Sequence, residues 1–215
     1  RRERSSLTAL LRNILPSPAH VARLLRGDPI VEELPDTTLL LADIKGFTPL
    51  SAGVKEPAHL AMVLDSVYSA IDRHVSLRGL FKLDVIGDCI FVLGGLPTLP
   101  SAKNHAVAVV AFALDLLAEV ANQRKALQVD INVRVGVHSG PAVGAVIGMQ
   151  RPRYLVWGHT AWLANKMESR GVAGEVQISR ETWERVRDSF ECTRRGMVEL
   201  GNGEEHETYL VAGEY

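Results

Sequence analysis

The sequence predicts a mixed α/β (α+β) fold, and three observations carry that expectation. The chain has 215 residues, 47% of them hydrophobic and 23% charged, ordinary proportions for one domain of ~100 to 200 residues plus a short appendage. From Thr37 onward, hydrophobic periodicity follows the order strand, helix, strand, strand, helix, strand, which is that of a split ferredoxin-like βαββαβ unit. Further strand- and helix-like runs after Gly140 predict a C-terminal αβ extension.

Ahead of that unit, Leu7, Leu10, Leu11 and Ile14 recur at helical spacing. Such a narrow apolar stripe needs a partner, either its own domain or a parallel coiled coil from an upstream sensor. A second helix is expected over residues 17–26, with Val21, Leu24 and Leu25 on one face and Gly27-Asp28-Pro29 ending it. Residues 1–30 are therefore expected to be a helical linker or transducer and residues 31–215 the domain proper.

Residues 37–43 read as an apolar strand. Over 57–78, Leu60, Val63, Leu64, Val67, Ala70, Ile71 and Val75 make one broad helical face, and Gly79 stops the helix. The short runs 81–85 and 89–93 form a hairpin whose turn presents Asp88. After the break at Gly94-Gly95-Leu96-Pro97, residues 103–125 read as a helix rich in Ala, Val and Leu, and 129–137 alternate as a half-buried strand. Then follow an apolar run over 142–147, another over 154–157, a helix over 160–169 and a strand over 175–178. Ser179 caps a helix that runs to Arg187, and 191–212 read as a hairpin.

Net charge is −1 with a pI near 6.7, so no global basic field points to nucleic acid. Lys82 and the pair Arg194-Arg195 are isolated. Cys89 and Cys192 are too few and too far apart for a disulfide framework or a zinc site, which suits an intracellular compartment. The stretch 106–118 contains Asp115 and falls short of the ~20 apolar residues that span a bilayer. The chain begins Arg1-Arg2-Glu3-Arg4 and is expected to be the cytoplasmic output domain of a longer chain, with a sensor or membrane portion upstream.

The chemistry centres on two carboxylates. Asp43 closes the run Thr37-Thr38-Leu39-Leu40-Leu41-Ala42, and Asp88 sits in the hairpin turn. Carboxylates on neighbouring turns of a sheet are what two-metal phosphoryl or nucleotidyl transfer needs. The plainer alternative is that Asp43 caps the turn before Phe47 and Asp88 serves an ordinary hairpin; spacing alone leaves the two balanced. The peptide N–H groups after Lys45, through Gly46, Phe47 and Thr48, suit phosphate if they open a helix or a nest. His138-Ser139-Gly140 reads as structural, because adjacent strand-end residues point apart, and His105 reads as a surface or cap residue.

Four stretches now bear on function: LLLADIKGFTPLS, FKLDVIGDCIFVLGGLP, VRVGVHSGPAVGAVIG and YLVWGHTAWLANKMESRGVAGEVQIS. In order and spacing they resemble the successive catalytic-domain motifs of the class III adenylate and guanylate cyclases. The likeness covers residues 37–212, and LLRNILP before it resembles the helical segment joining such domains to upstream sensors. The resemblance implies a palm-like sheet working as a dimer, with active sites at the interface. It implies that Asp43 and Asp88 hold two Mg2+ or Mn2+ ions, assisted by the carbonyl of Ile44. The 3'-hydroxyl of a nucleoside triphosphate then attacks its own α-phosphorus, expelling pyrophosphate and leaving the 3',5'-cyclic nucleotide, chiefly by positioning and charge stabilisation.

Departures from the family pattern shape the rest. Members that act as symmetric homodimers carry an Asn and, four residues later, an Arg on the helix after the Trp-Gly turn; here those positions are Trp162 and Lys166. Lys166 keeps the charge at a catalytic position but lacks the guanidinium fork, and Trp162 is expected to be a packing residue at a degenerate transition-state position. Losing one positioned donor costs about 10²- to 10³-fold in rate. The base-recognition positions are Asp84 and Leu155, where adenylate cyclases tend to have Lys with Asp or Thr, and guanylate cyclases Glu with Cys. Asp84 can accept from guanine as Glu does, or serve as a solvated strand residue. The lysine-bearing loop near the C-terminus of relatives reads LGNGEEHE here. The GDC and LAN triplets resemble the metal-bearing half of the two-domain mammalian adenylate cyclases. The chain is thus expected to supply metal sites to a complementary half as a heterodimer, or to form a weakly active homodimer. Its expected substrate is a purine triphosphate, ATP ahead of GTP on family frequency alone. The rival reading is a catalytically degenerate domain that binds nucleotide and transmits a signal.

Overall fold

Ser17 has the extended backbone of a helix cap, and its hydroxyl accepts from the His20 N–H at 3.3 Å. Helix α1 (Pro18–Arg26) follows, and Gly27, at φ 80°, closes it. The computed structural model describes residues 14–45, 57–127, 130–148, 151–201 and 203–215. Of the N-terminal stripe, Leu7, Leu10 and Leu11 lie outside them, and Ile14 is exposed. Leu15 and Val21 bury with Leu34 and Tyr154. A polar chain then fastens α1 to the sheet: His20 Nδ1 lies 2.6 Å from Ser17 Oγ, His20 Nε2 lies 2.9 Å from Glu32, and the Tyr154 hydroxyl donates to Glu32 at 2.5 Å.

Strand β1 (Val31–Lys45) begins well before the expected residue 37. A register shift between Leu34 and Thr37 accommodates Pro35, which cannot donate to a ladder. Opposite the shift lies Pro141, since Gly140 pairs with Thr37 and Ala142 with Leu34. Strand β4 (Asn132–Ile147) therefore runs unbroken, where the sequence suggested two segments. The remaining α-helices and strands are α2 (Pro57–Leu77), β2 (Phe81–Ile86), β3 (Cys89–Gly94), α3 (His105–Leu127), β5 (Arg153–Trp157), α4 (His159–Ser169), β6 (Val176–Ser179), α5 (Arg180–Val186), β7 (Phe190–Glu199) and β8 (Glu205–Glu214), with a 3-10 turn over Pro100–Lys103. Among the described residues they build one eight-stranded sheet in the order β2-β3-β1-β4-β6-β8-β7, with β5 paired to β4. The order β2-β3-β1-β4 places the strands of the βαββαβ unit side by side, and β6 joins β4 in parallel.

The main core lies between α2 and α3 and the sheet. It gathers Val67, Ile71 and Val75 of α2, Val109, Phe112 and Leu116 of α3, and Leu40, Ile44, Val133, Val135 and Val137 of the strands. Helix α3 is long and apolar enough over His105–Ala126 to cross a membrane by composition, yet it supplies much of this core. On the opposite face α4 lies on β4 so closely that a Cβ at Gly136 would stand 1.9 Å from the Glu168 backbone nitrogen. Only glycine permits that approach.

Two expectations are corrected here. His105 is buried, with Nδ1 2.8 Å from Thr38 Oγ1 and Nε2 3.2 Å from Asp36, because α3 packs directly over β1. His138 and Ser139 lie within β4 rather than at a strand end, and both are buried. Ser139 Oγ lies 2.7 Å from Thr38 Oγ1 and 3.0 Å from Thr182 Oγ1, a structural network.

Candidate active site

Asp43 stands where three strands meet. It pairs with Cys89 of β3 on one side and Arg134 of β4 on the other. The Ile44 N–H donates to the Asp88 carbonyl at 3.2 Å, which fastens the β2–β3 turn to the end of β1. Gly87, at φ 65°, lets that turn be tight. Ligand atoms of Asp43, Asp88 and Cys89 consequently lie within 4.8 Å of one another.

The side chain of Asp43 is only 14% exposed, and two cations offset its charge: Lys45 Nζ at 2.7 Å and Arg134 Nη2 at 3.6 Å from Oδ2. Arg134 is shared with Glu168 of α4, donating through Nε at 2.7 Å and Nη2 at 2.6 Å. Burial raises the pKa of Glu168, and Arg134 opposes the rise. The Cys89 thiol lies 3.5 Å from Asp43 Oδ1. Burial, and then the Asp43 charge, push its pKa up to about 11, so at neutral pH it is a donor. Two carboxylates converging beside a turn are hard oxygen donors of the kind Mg2+ and Mn2+ take. The residues fit a divalent cation, which Asp43 and Asp88 would hold. Gly46, Phe47 and Thr48 lie outside the described residues.

Asp84 and Leu155 come together across 71 positions of sequence to line one cavity of about 230 Å³. Leu39, Leu41, Leu83 and Phe91 make its floor and walls apolar, and Ala161 and Asn165 bring α4 to it. Asp84 is not merely solvated. Its Oδ2 accepts from Arg153 Nη1 at 2.8 Å, and its Oδ1 accepts from the Val85 N–H at 2.9 Å.

Trp162 and Lys166 take a different direction from the same helix. Trp162 packs against the cluster of Leu163, Met167 and Leu200, and its ring stacks on His159 with centroids 5.3 Å apart. Lys166 Nζ lies 5.5 Å from the Trp162 ring centroid, beside Gly201. In the loop that relatives equip with lysine, the Gly201 N–H donates to Glu199 Oε1 at 2.5 Å.

Sequence reading missed Arg153, Arg134 and Asn165. Arg153 and Leu155 are two apart on β5 and so share a face, a signal that was available. Arg134 stands directly opposite Asp43, a register that only strand pairing sets.

The α+β sheet carries a converging carboxylate pair at the end of β1 and the β2–β3 turn, and its class is that of the nucleotide-cyclase catalytic domains. The model of the family described as "Adenylate and Guanylate cyclase catalytic domain" matches residues 30–213, and the chain belongs to that family. It is 36% identical over 215 residues to guanylate cyclase 32E of Drosophila melanogaster, covering 97% of this chain and 18% of that protein. It is 35% identical over 207 residues to an adenylate cyclase of Mycobacterium tuberculosis, covering 94% of this chain and 46% of that protein. The chain thus spans less than half the length of either relative. Among solved structures it is similar to the guanylate cyclase domain of RhGC from Catenaria anguillulae in complex with GTP, at a TM-score of 0.78 and 29% identity over 86% of this chain and all of that one. It is also similar to the adenylyl cyclase CyaB from P. aeruginosa, at a TM-score of 0.80 and 25% identity over 86% of this chain and 97% of that one.

Proposed function

We propose that this domain converts a purine nucleoside triphosphate to its 3',5'-cyclic monophosphate and pyrophosphate, at a site completed by a second cyclase subunit. The observation that carries the reading is the convergence of Asp43 and Asp88 beside the Asp84–Leu155 cavity. Asp43, Asp88 and the carbonyl of Ile44 would hold two Mg2+ or Mn2+ ions. When bound, such ions favour the ionised attacking hydroxyl and neutralise phosphate charge. The chain's own residues orient the substrate. The cavity takes the base, and the peptide groups of Gly46, Phe47 and Thr48 are assigned to phosphate from sequence alone. Attack of the 3'-oxygen on the α-phosphorus forms one P–O bond and breaks the bond to the β-phosphate, with loss of the hydroxyl proton.

The position of Trp162 supports dependence on a partner. It packs into the cluster with Leu200, and this position offers no amide donor of the kind symmetric relatives carry there. Lys166 can contribute a point charge. The complete site is therefore assigned to a heterodimer with a complementary half, and a homodimer of this chain to low activity. Residues 1–30 act as the transducing segment of a cytoplasmic output domain, downstream of a sensor or membrane portion. Nucleic acid has no role. ATP is the leading substrate on family frequency, and the Arg153-held carboxylate of Asp84, an acceptor suited to guanine N1–H and N2–H, favours GTP as the second reading.

The test is incubation of the purified domain with Mn2+ and each of the four nucleoside triphosphates, with cyclic products identified by mass. Asp43→Ala and Asp88→Ala are run in parallel. Product from a purine triphosphate that disappears in both variants is expected. Product that survives either substitution sinks the metal assignment, and no product from any substrate, with or without a complementary half, sinks the enzymatic reading.

A further inference from the structure

Strand β6 is short, and its end opens a gap in the sheet. It pairs with β4 through Val137↔Ile178 and with β8 through Ser179↔Thr208, after which the chain turns into α5. Strands β4 and β8 flank that gap and present a histidine each. His138 of β4 is 4% exposed, and its ring meets that of His206 of β8 edge to face, with centroids 6.2 Å apart. Glu181, in the first turn of α5, places one carboxylate oxygen between them. Its Oε2 lies 2.9 Å from His206 Nε2 and 3.7 Å from His138 Nδ1.

We infer that His138, Glu181 and His206 form a binding site for a divalent transition-metal ion of the Zn2+ class, separate from the carboxylate pair at Asp43 and Asp88. One ligand atom from each of the three residues lies within 4.8 Å of the others. A tetrahedral ion with ligands at ~2.0 to 2.1 Å sets them about 3.3 Å apart. The two carboxylate–imidazole separations of 2.9 and 3.7 Å straddle that value, and ligand atoms of the two imidazoles lie within 4.8 Å of each other. Two imidazoles and one carboxylate suit Zn2+ rather than Mg2+. Three protein ligands leave a fourth position for water.

The surroundings are compatible with an ion. Ser179 Oγ lies 2.8 Å from His138 Nδ1 but also 3.3 Å from Thr182 Oγ1, so its hydroxyl has a second acceptor when the imidazole lone pair is taken. Arg185, a neighbouring cation, is engaged by Asp36. The site lies four residues along β4 from Arg134, the partner of Asp43, or ~14 Å away at strand rise. An ion there would tie β4, α5 and β8 together and stabilise the folded state.

The experiment uses the untagged, metal-free 215-residue chain in an Asp43→Ala/Asp88→Ala background, which removes the other metal-binding candidate. Zn2+ is titrated by calorimetry, and Co2+ is added to read visible ligand-field bands. One Zn2+ per chain and intense Co2+ bands of low coordination number are expected. His206→Ala and Glu181→Gln should each weaken Zn2+ binding by more than the about 10- to 100-fold that loss of an outer-shell partner costs, while His206→Cys, which restores a zinc ligand, should recover most of it. Circular dichroism and melting of the metal-free variants establish that they fold, and His206→Gln replaces His206→Ala if the latter does not. Absence of saturable binding in the background chain overturns the site. So does an affinity that changes less than about tenfold in both Glu181→Gln and the folded His206 variant.

Discussion

Lys166 Nζ lies 5.5 Å from the centroid of the Trp162 ring, so the two residues at the transition-state positions of symmetric relatives contact each other. The indole is also anchored against Leu163, Met167 and Leu200. Replacing Trp162 by Asn and Lys166 by Arg together is expected to raise cyclic-nucleotide formation by the chain alone about 10²- to 10³-fold. Lost packing should cost about 1 to 2 kcal/mol of stability. Product formation by the purified variant and its urea unfolding midpoint check both halves of this expectation.

Base choice turns on Asp84 and the arginine that holds it. Asp84→Asn should lower turnover of GTP by about 10²-fold and leave ATP nearly unaffected, because a site that accepts from guanine loses its acceptor charge. Arg153→Ala frees the carboxylate and should raise KM for GTP more than it lowers kcat. Parallel steady-state kinetics on the two nucleotides measure this, and equal losses for both would assign Asp84 to packing of the cavity wall.

Gly136→Ala is expected to destabilise the domain by about 3 kcal/mol or more. The added methyl would stand 1.9 Å from the Glu168 nitrogen and 2.4 Å from the Met167 carbonyl carbon, both backbone atoms of α4. Gly213→Ala meets nothing within 4 Å and serves as the control. Guanidinium unfolding of the two variants gives the comparison.

Stability should also carry a carboxylate signature in acid. Burial works to raise the pKa of Asp36, but hydrogen bonds from Arg185 and His105 outweigh it and hold the carboxyl below its usual value. A group depressed in the folded state stabilises fully above its unfolded pKa, and that stability is lost as pH falls through the folded value. Asp36→Asn should therefore be less stable than the parent at pH ~7, and the gap should close as pH falls below about 4. Urea unfolding across that range decides it; a gap that stays constant would mean that the Asp36 charge contributes nothing.

Much of the site was legible because its parts are local. Asp88 belongs to a hairpin turn whose flanking runs and glycine are contiguous, and Asp43 ends an apolar run. The ends of β1 and β4 were less legible. Pro35 and Pro141 argue against continuous strands when each is read alone, and only their placement opposite one another, at the register shift, removes the conflict. The burial of His105 and the mid-strand placement of His138 were not legible for a related reason. A histidine in an apolar run has no visible partner in sequence, and here the partners are Thr38 and Asp36, or Ser179 and Glu181.

What the sequence determined by itself was the alternation of strand and helix, the family motifs and the two carboxylates, since periodicity and turn chemistry act over a few residues. Tertiary structure decided how those residues are used. Arg153 reaches Asp84 across 69 positions, Arg134 reaches Glu168 across 34, and α5 and β8 bring Glu181 and His206 to His138. Each of these contacts depends on which strands become neighbours and which face of α4 meets the sheet. Chain order fixes neither, because non-local pairing is settled by the packing of the whole core.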